Sequence, residues 1–400
     1  MKKILFIHHN ASTVGAGLSA FHIVASIPRE EYEVVVCMPD GKGDLCEKLE
    51  NTGIRVRKDI HHSCTYTHVN GYHYNLFSIS HFHNIYELVK SRKTFKRVIQ
   101  EENPDIVMVN SMTLFWIGRL AQKAGAKTVC FHRESYYPGL LGLRTKYIKY
   151  RLNNDFDKIV FLSDYDMQQT GNLYSKYMKI TDKVDVSLYE GLNKEDMRKE
   201  LDLPNNEKLV LYVGGVSKLK GIEVALKTFK ELQKEAKLIV LQYVKATDLS
   251  RGIRGLRQKF RRWEGKDIPY WTDNFIRENN MEANLILRGK TDQVEKYFVA
   301  CDLVIFPSQE AHQARPVFEA GIAKRPIVIS DFDNTKEFLD NSNGWCVKYD
   351  DVGMWIKTCR DILQKGTEVD KRIEMNYNKT KSGHSLKKLT QEINELLNNL

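Results

Sequence analysis

The chain lacks any run of about 18 apolar residues, which excludes a helix that spans a bilayer. Its seven cysteines are scattered and include no Cys-x-x-Cys pair. Neither a disulfide framework nor a zinc ribbon is therefore expected, and reduced thiols in a cytoplasmic protein are. The opening MKKILFIHHN carries no signal-peptide cleavage pattern, and its short apolar run is expected to form a first strand. No Asp-x-Asp pair stands in a metal-binding context, and low-complexity tracts and short-period repeats are absent. What remains is a 400-residue chain, 42% hydrophobic and 28% charged, which rules out collagen, coiled coil and wholesale disorder. That length exceeds what one core usually organises, so two domains are expected.

Charge is unevenly placed. The net charge is +10, and residues 51–150 alone hold 15 Lys/Arg against 6 Asp/Glu. Such a patch calls for an anionic partner: lipid headgroups, a phosphate-bearing substrate or nucleic acid.

Short apolar runs alternate with amphipathic stretches, the pattern of a parallel-sheet α/β protein. In the first half the expected strands are 3–8, 33–38, 54–56, 106–110, 127–131 and 158–162. From Lys208 the pattern restarts, with strands expected at 208–214, 238–243, 283–287, 303–307, 327–330 and 344–347. Two Rossmann-like, doubly wound domains in tandem are the simplest account. The first is expected over 1–190 and the second over 191–383, with 187–206 as their connection. A terminal helix in 384–400 is expected to pack back on the first domain.

Two strand ends are candidates for binding phosphate or its ribose, with plain turn chemistry as the alternative for the first. The strand ending near Val213 runs into GGVSKLKG at 214–221, before an amphipathic helix. Gly214 and Gly215 permit a tight turn with exposed amides, and Lys220 stands where a diphosphate would meet both a cation and a helix dipole. The strand 303–307 leads to SQEAHQARPVFEAGIAKRPIV, in which Pro316 suits the first turn of a helix. Glu319, one turn further, is placed to accept hydrogen bonds from a ribose diol; the alternative is a solvated helix glutamate. A third glycine loop, HHNASTVGAGLSAF at 8–21, has Gly15 and Gly17 but no third glycine, so it is not the dinucleotide fingerprint. It reads equally as a substrate-touching loop or a plain turn.

The pairing of the VGG…KG turn with the late PS…E…FEAG…PIV segment resembles the GT-B glycosyltransferases, in particular the retaining, nucleotide-sugar-dependent family-4 type. The resemblance spans nearly the whole chain and is most specific over 301–331. It implies two domains facing a central cleft, with donor held mostly by the second and acceptor by the first. It implies that Glu319 binds the donor ribose, that Lys220 neutralises the diphosphate, and that backbone amides from Arg315 through Pro316 to Val317 hold phosphate or sugar oxygens. His132, in VCFHRES, matches the cleft histidine near the reacting sugar, and Gly15 and Gly17 match the loop approaching donor and acceptor. Two positions depart from the pattern. Ala311 stands where the first glutamate of the E-x7-E motif is expected, leaving the neighbouring Glu310 as the candidate for its catalytic role. Gly215 replaces the usual arginine of the phosphate turn, leaving Lys218 or Arg288 to supply a second cation.

The reading that follows is a cytoplasmic, membrane-peripheral glycosyltransferase, acting with retention and without metal or bound cofactor. It moves a sugar from a nucleotide-diphosphate sugar to a glycan or lipid-linked acceptor, in bacterial surface polysaccharide synthesis by analogy with the family. Two rivals are a GT-B nucleotide-sugar 2-epimerase and a non-catalytic nucleotide-sugar-binding protein. A nucleic-acid partner would leave the anion turn and Glu319 unexplained and is not expected.

Three further features stand out. Six histidines, His61, His62, His68, His73, His81 and His83, share one segment with Tyr66, Tyr72, Tyr74, Phe77 and Phe82. A metal site using His81, His83 and Cys64 is one reading, and a ring-lined acceptor loop is the favoured one. The stretch 85–99 sets Leu88, Phe95, Val98 and Ile99 beside five Lys/Arg. In 249–263, Leu249, Ile253, Leu256, Phe260 and Trp263 recur at helical spacing among cations. Either is a candidate for lying on an anionic membrane, or an ordinary helix with a solvated basic face.

Overall fold

A computed structural model describes residues 1–13, 15–40, 43–66, 68–69, 72–73, 79–136, 140–248, 252–311, 315–364 and 366–400. The chain divides into two compact units, one of Met1–Lys183 with His384–Leu400 and the other of Val184–Gly383.

The first unit is built on seven strands: β1 (Lys2–Ile7), β2 (Tyr32–Pro39), β3 (Arg55–Ile60), β4 (Ile106–Asn110), β5 (Lys127–His132), β6 (Lys158–Phe161) and β7 (Tyr177–Lys179), in the order β3-β2-β1-β4-β5-β6-β7. All neighbours are parallel. Parallel strands linked by helices are covered on both faces, which is why Ile4, Leu5, Phe6 and Ile7 are all fully buried. Ile23 and Val24 of the helix Ala16–Ala25 pack on one face together with Leu389, Ile393 and Leu396 of the last helix, Leu386–Asn398. Phe95, Val98 and Ile99 of the helix Ile79–Glu102 and Ile148 and Leu152 of Leu143–Asp155 cover the other. The last helix starts where the Ser385 side chain accepts from the Lys388 amide, and Glu392 pairs with the buried Lys183 at 2.9 Å.

The second unit repeats the plan with β8 (Leu209–Tyr212), β9 (Lys237–Val240), β10 (Leu285–Leu287), β11 (Leu303–Phe306), β12 (Ile327–Ser330) and β13 (Trp345–Val347), ordered β10-β9-β8-β11-β12-β13 and again all parallel. Both sheets reverse their strand order beside the first strand, and open α/β sheets bind ligands at such a reversal, outside the carboxyl ends of the strands. In the second unit that position lies between β8 and β11, the two strands that lead into the segments expected to bind phosphate.

Three elements differ from expectation. Strand β7 was not foreseen because Tyr177–Lys179 is three residues long and only Tyr177 is buried. The short antiparallel pair His68–Val69 and Tyr72–His73 leaves no apolar period to read. The segment 187–206, expected as a plain connection, contains the helix Lys194–Glu200. Asn193 caps it by accepting from the Asp196 amide, and acidic residues open it while basic ones close it. Its Arg198 is buried and donates to the carbonyls of Ala300 (2.9 Å), Pro204 (3.2 Å), Asn205 (2.8 Å) and Glu207 (3.1 Å), and to Asp302 at 2.7 Å. Asp302 also accepts from the Leu209 amide at 2.8 Å and pairs with Lys194. These partners hold its carboxyl below the ordinary range despite burial. The Pro/Asn turn thus collapses onto one guanidinium and joins the second unit, whose contact boundary falls at Lys183/Val184 and not at 190.

Asp302→Ala strands the Arg198 guanidinium in the interior, and losing one partner of a buried pair costs about 3–5 kcal/mol. Urea unfolding monitored for the second unit is expected to move by that amount, whereas Lys194→Ala, a partly exposed partner, is expected to cost about 1 kcal/mol or less.

Candidate functional site

The turn after β8 is shaped from beneath by Tyr212. This fully buried residue donates its hydroxyl to the Lys220 carbonyl at 3.1 Å. A Cβ on Gly214 would lie 2.1 Å from that hydroxyl, so only glycine fits above it. Gly215 follows with φ +64°. The Ser217 amide donates to the Gly215 carbonyl at 2.9 Å, and the Ile222 amide to the Ser217 carbonyl at 3.2 Å. The turn closes at Gly221, with φ +83°, where a Cβ would sit 1.7 Å from the Pro307 carbonyl oxygen. The glycine turn is therefore pressed against the end of β11. A hydrogen bond from the Gln309 amide to the Leu219 carbonyl, at 2.8 Å, repeats the contact. Two segments almost a hundred residues apart in sequence form one corner at the reversal point of the sheet.

Lys220 and Glu319 interact electrostatically at this corner. Burial draws the Lys220 ammonium below the ordinary lysine range, and the nearby Glu319 carboxylate opposes that shift. Glu319 lies one turn into the helix Arg315–Ile322 and accepts from Arg315 Nε at 3.2 Å. Arg315 Nη1 is buried and has no hydrogen-bond partner among the described residues. A buried guanidinium nitrogen without a partner is costly in a bare protein and is relieved by a bound oxygen. Pro316 and Val317 of this helix are buried. Asn376 donates to the Val317 carbonyl at 3.1 Å, fixing the helix on Thr367–Gly383.

Lys218 Nζ pairs with Glu223 at 3.7 Å, and an Arg288 amine donates to the Leu201 carbonyl at 3.2 Å. The guanidinium beside Glu319 is that of Arg315. Glu310 is half-buried and directly follows Gln309, the residue pinned to the glycine turn. Two residues absent from the sequence reading also reach the corner. Burial drives the Tyr189 phenol well above its ordinary value, with Glu319 adding to the shift and Arg315 opposing it. Burial likewise raises the Glu295 carboxyl, and Glu319 acts in the same direction. Neither stands in a motif; both are brought in by packing between Val186–Tyr189, Val294–Ala300 and Arg315–Ile322.

In the first unit, His132 ends β5 and is fully enclosed by Tyr136 and Phe161, each ring centroid 4.9 Å away. Burial brings its pKa to about 3, so the imidazole is neutral. Both ring nitrogens are buried without a hydrogen-bond partner among the described residues. His8, at the end of β1, is also buried and held neutral, and its Nδ1 lies 3.1 Å from Asn110 Nδ2. Gly15 has φ +58° at the start of the helix Ala16–Ala25. Gly17 lets the loop cross it, since a Cβ there would lie 1.8 Å from the Ser12 carbonyl oxygen.

The histidine-rich segment lines an open depression of about 390 Å³ with His9, Asp40, His61, His62 and Thr65. His62 Nδ1 lies 2.9 Å from Glu87, and Cys64 is buried with its thiol pushed up to about 12. Among the described residues no group of three His, Cys, Asp or Glu side chains is placed to hold a metal ion. Tyr74 and Phe77 lie outside the described residues, as do the side chains of His68, Tyr72 and His73. In the stretch 85–99, Phe95, Val98 and Ile99 belong to the core and do not face outward; Ile85, Tyr86 and Val89 are exposed. No helix among the described residues is long and apolar enough to cross a membrane.

Residues 14–179 match the family model described as Glycosyltransferase Family 4, and residues 193–382 match Glycosyl transferases group 1. No curated protein matches the chain. Among solved structures, Anabaena Alr3699/HepE, in complexes with UDP (TM-score 0.77) and UDP-glucose (TM-score 0.76), is 16% identical over 100% of both chains. Sucrose-phosphate synthase from Thermosynechococcus elongatus is 15% identical, with a TM-score of 0.73 over 100% of this chain and 98% of the other. A mutant of S. aureus TarM, in complex with fondaparinux, alpha-GlcNAc-glycerol and UDP, is 13% identical, with a TM-score of 0.70 over 100% of both chains. These likenesses establish a shared fold.

Two measurements check the site's construction. Gly221→Ala forces a Cβ onto the Pro307 carbonyl at positive φ, and a loss of about 2–4 kcal/mol is expected in denaturant unfolding. His132, neutral when folded, takes up a proton more readily when unfolded. Its stabilisation is full above pH 6.5 and falls by about 1.4 kcal/mol per pH unit towards pH 3. His132→Gln is expected to reduce the acid sensitivity of the first unit between pH 7 and pH 5 in thermal melts.

Proposed function

Because the chain belongs to the GT-B glycosyltransferases of the family-4 type, its two halves matching the two family models in order, it is a sugar-transferring enzyme, and we propose that its donor is a nucleotide-diphosphate sugar held at the Lys220–Glu319 corner. The observation that carries this reading is the convergence of a half-buried ammonium, an acidic side chain and a buried guanidinium nitrogen that has no partner among the described residues, where the sheet order reverses. An isolated core would not gather them; a diphosphate joined to a ribose would use all three. The UDP and UDP-glucose complexes of the Anabaena protein support the same donor chemistry.

In this reading Lys220, the amides of the Gly214–Gly221 turn and those at the start of the Arg315 helix take up the charge that develops on the leaving diphosphate. Glu319, steadied by Arg315, accepts from the ribose hydroxyls. No divalent ion or bound cofactor is needed, since the protein's own cations carry the role. Transfer proceeds with retention: the bond from the anomeric carbon to the phosphate oxygen breaks while the acceptor oxygen bonds on the same face. The acceptor proton passes to the departing phosphate. His132, neutral and with ring nitrogens that have no partner among the described residues, orients a sugar hydroxyl, and Glu310 takes the place of the missing motif glutamate. The acceptor is a glycan or lipid-linked glycan of a bacterial surface polysaccharide. The basic excess of residues 51–150 supports a cytoplasmic, membrane-peripheral location beside it.

Calorimetric titration with UDP and GDP tests the assignment. Charge-assisted contacts are worth about 1.5–3 kcal/mol each, so Lys220→Met and Glu319→Gln are each expected to weaken the preferred diphosphate about 10- to 100-fold. Because burial lowers the Lys220 pKa, parental affinity should decline on the alkaline side, and that decline should vanish in Lys220→Met. Parental affinity in both variants would overturn the assignment.

A further inference from the structure

The helix Ile253–Trp263 follows β9 as an excursion from the second unit, and its polarity is inverted. Gly255 is buried. Gln258 Nε2 donates to the Thr247 carbonyl (3.3 Å) and hydroxyl (3.2 Å). Arg262 donates from Nε to Asp267 at 3.0 Å and from Nη2 to the Thr247 carbonyl at 2.6 Å, with its guanidinium 4.1 Å from the Tyr270 ring centroid. Residues 255, 258 and 262 share one helical face, so the helix is fastened to its unit by polar groups. The opposite side carries Leu256, Phe260 and Trp263, which are 67%, 54% and 81% exposed. The Phe260 and Trp263 rings lie 5.6 Å apart and form one ridge with Leu256.

A surface helix ordinarily buries its apolar stripe and wets its polar face. Here the stripe points to solvent, and a concentrated apolar ridge of this kind marks an interaction surface. The charge around it selects the partner. Residues 251–262 include six Lys/Arg and no acidic residue, and Lys259 and Arg261 are exposed. A second copy would set cation against cation, which disfavours pairing. Acidic headgroups above an acyl layer match both features, since Leu, Phe and Trp settle at the hydrocarbon boundary while Lys and Arg reach the phosphates.

We propose that the helix Ile253–Trp263 docks the enzyme on an anionic lipid surface, with Leu256, Phe260 and Trp263 inserted and Lys259 and Arg261 at the headgroups. The inference rests on the membrane-peripheral reading above and locates the contact on the second unit.

Co-sedimentation of the full chain with phosphatidylglycerol/phosphatidylcholine vesicles, and with phosphatidylcholine alone, tests it at low and moderate salt. Binding is expected only to the anionic vesicles, weaker with salt, and with a blue shift of the Trp263 emission that is missing in Trp263→Ala. The triple variant Leu256→Ala/Phe260→Ala/Trp263→Ala is expected to lose at least about tenfold in partitioning while binding UDP or GDP as the parent does. Equal vesicle binding by parent and triple variant would overturn the docking role of this helix and leave the peripheral reading standing. Absence of parental binding to anionic vesicles at low salt would overturn both. Self-association lost in the triple variant, without vesicle binding, would make the ridge a contact between copies and also overturn the proposal.

Discussion

The candidate site depends on one close approach, that of the Gly221 backbone to the Pro307 carbonyl, which leaves no room for even a methyl group. It fixes the glycine turn after β8 to the exit of β11, and everything at the corner follows. Lys220 is the residue before that contact, so its ammonium enters a partly closed space and loses solvation. Tyr212 supports the turn from below with a hydrogen bond to the Lys220 carbonyl, and Gln309 repeats the join at Leu219. The helix carrying Arg315 and Glu319 starts a few residues beyond. A weaker contact would leave the same residues present but dispersed over separate loops.

Electrostatics at this corner are balanced by design of the packing, not by a single ion pair. Glu319 accepts from Arg315 and influences the protonation of Lys220, Glu295 and Tyr189. Two carboxylates that interact raise the cost of holding both charged, and two partly buried cations offset it. A neutral histidine in the first unit, His132, contrasts with this. Its environment is aromatic, and burial keeps the imidazole uncharged at neutral pH.

The architecture was legible in the sequence because parallel strands buried on both faces read as short unbroken apolar runs. Ile106–Asn110 and Ile327–Ser330 match the expected runs residue for residue, and the others differ only at their ends. Tyr177–Lys179 escaped notice because an edge strand with one buried residue carries no such signal. Of the site, the glycines, Lys220 and Glu319 announced themselves by turn chemistry and helix position. Glu295 and Tyr189 did not, since their presence depends on how three helical segments pack. The stretch 85–99 left two readings open, and the core placement of Phe95, Val98 and Ile99 fits the ordinary helix with a solvated basic face; periodicity alone does not say which side of a helix meets protein. The helix at Lys194–Glu200 was hidden by the Pro/Asn turn after it, although Asn193 and the charge order were visible signals.

The buried Lys183–Glu392 pair and the apolar side of Leu386–Asn398 have a consequence for biogenesis. The first sheet keeps one flank partly bare until Leu386–Asn398 has been made, because the helix that covers it is translated after the whole second unit. Truncation of a dozen residues at the carboxyl end would injure the amino-terminal half of the molecule, the half farthest from the cut in sequence.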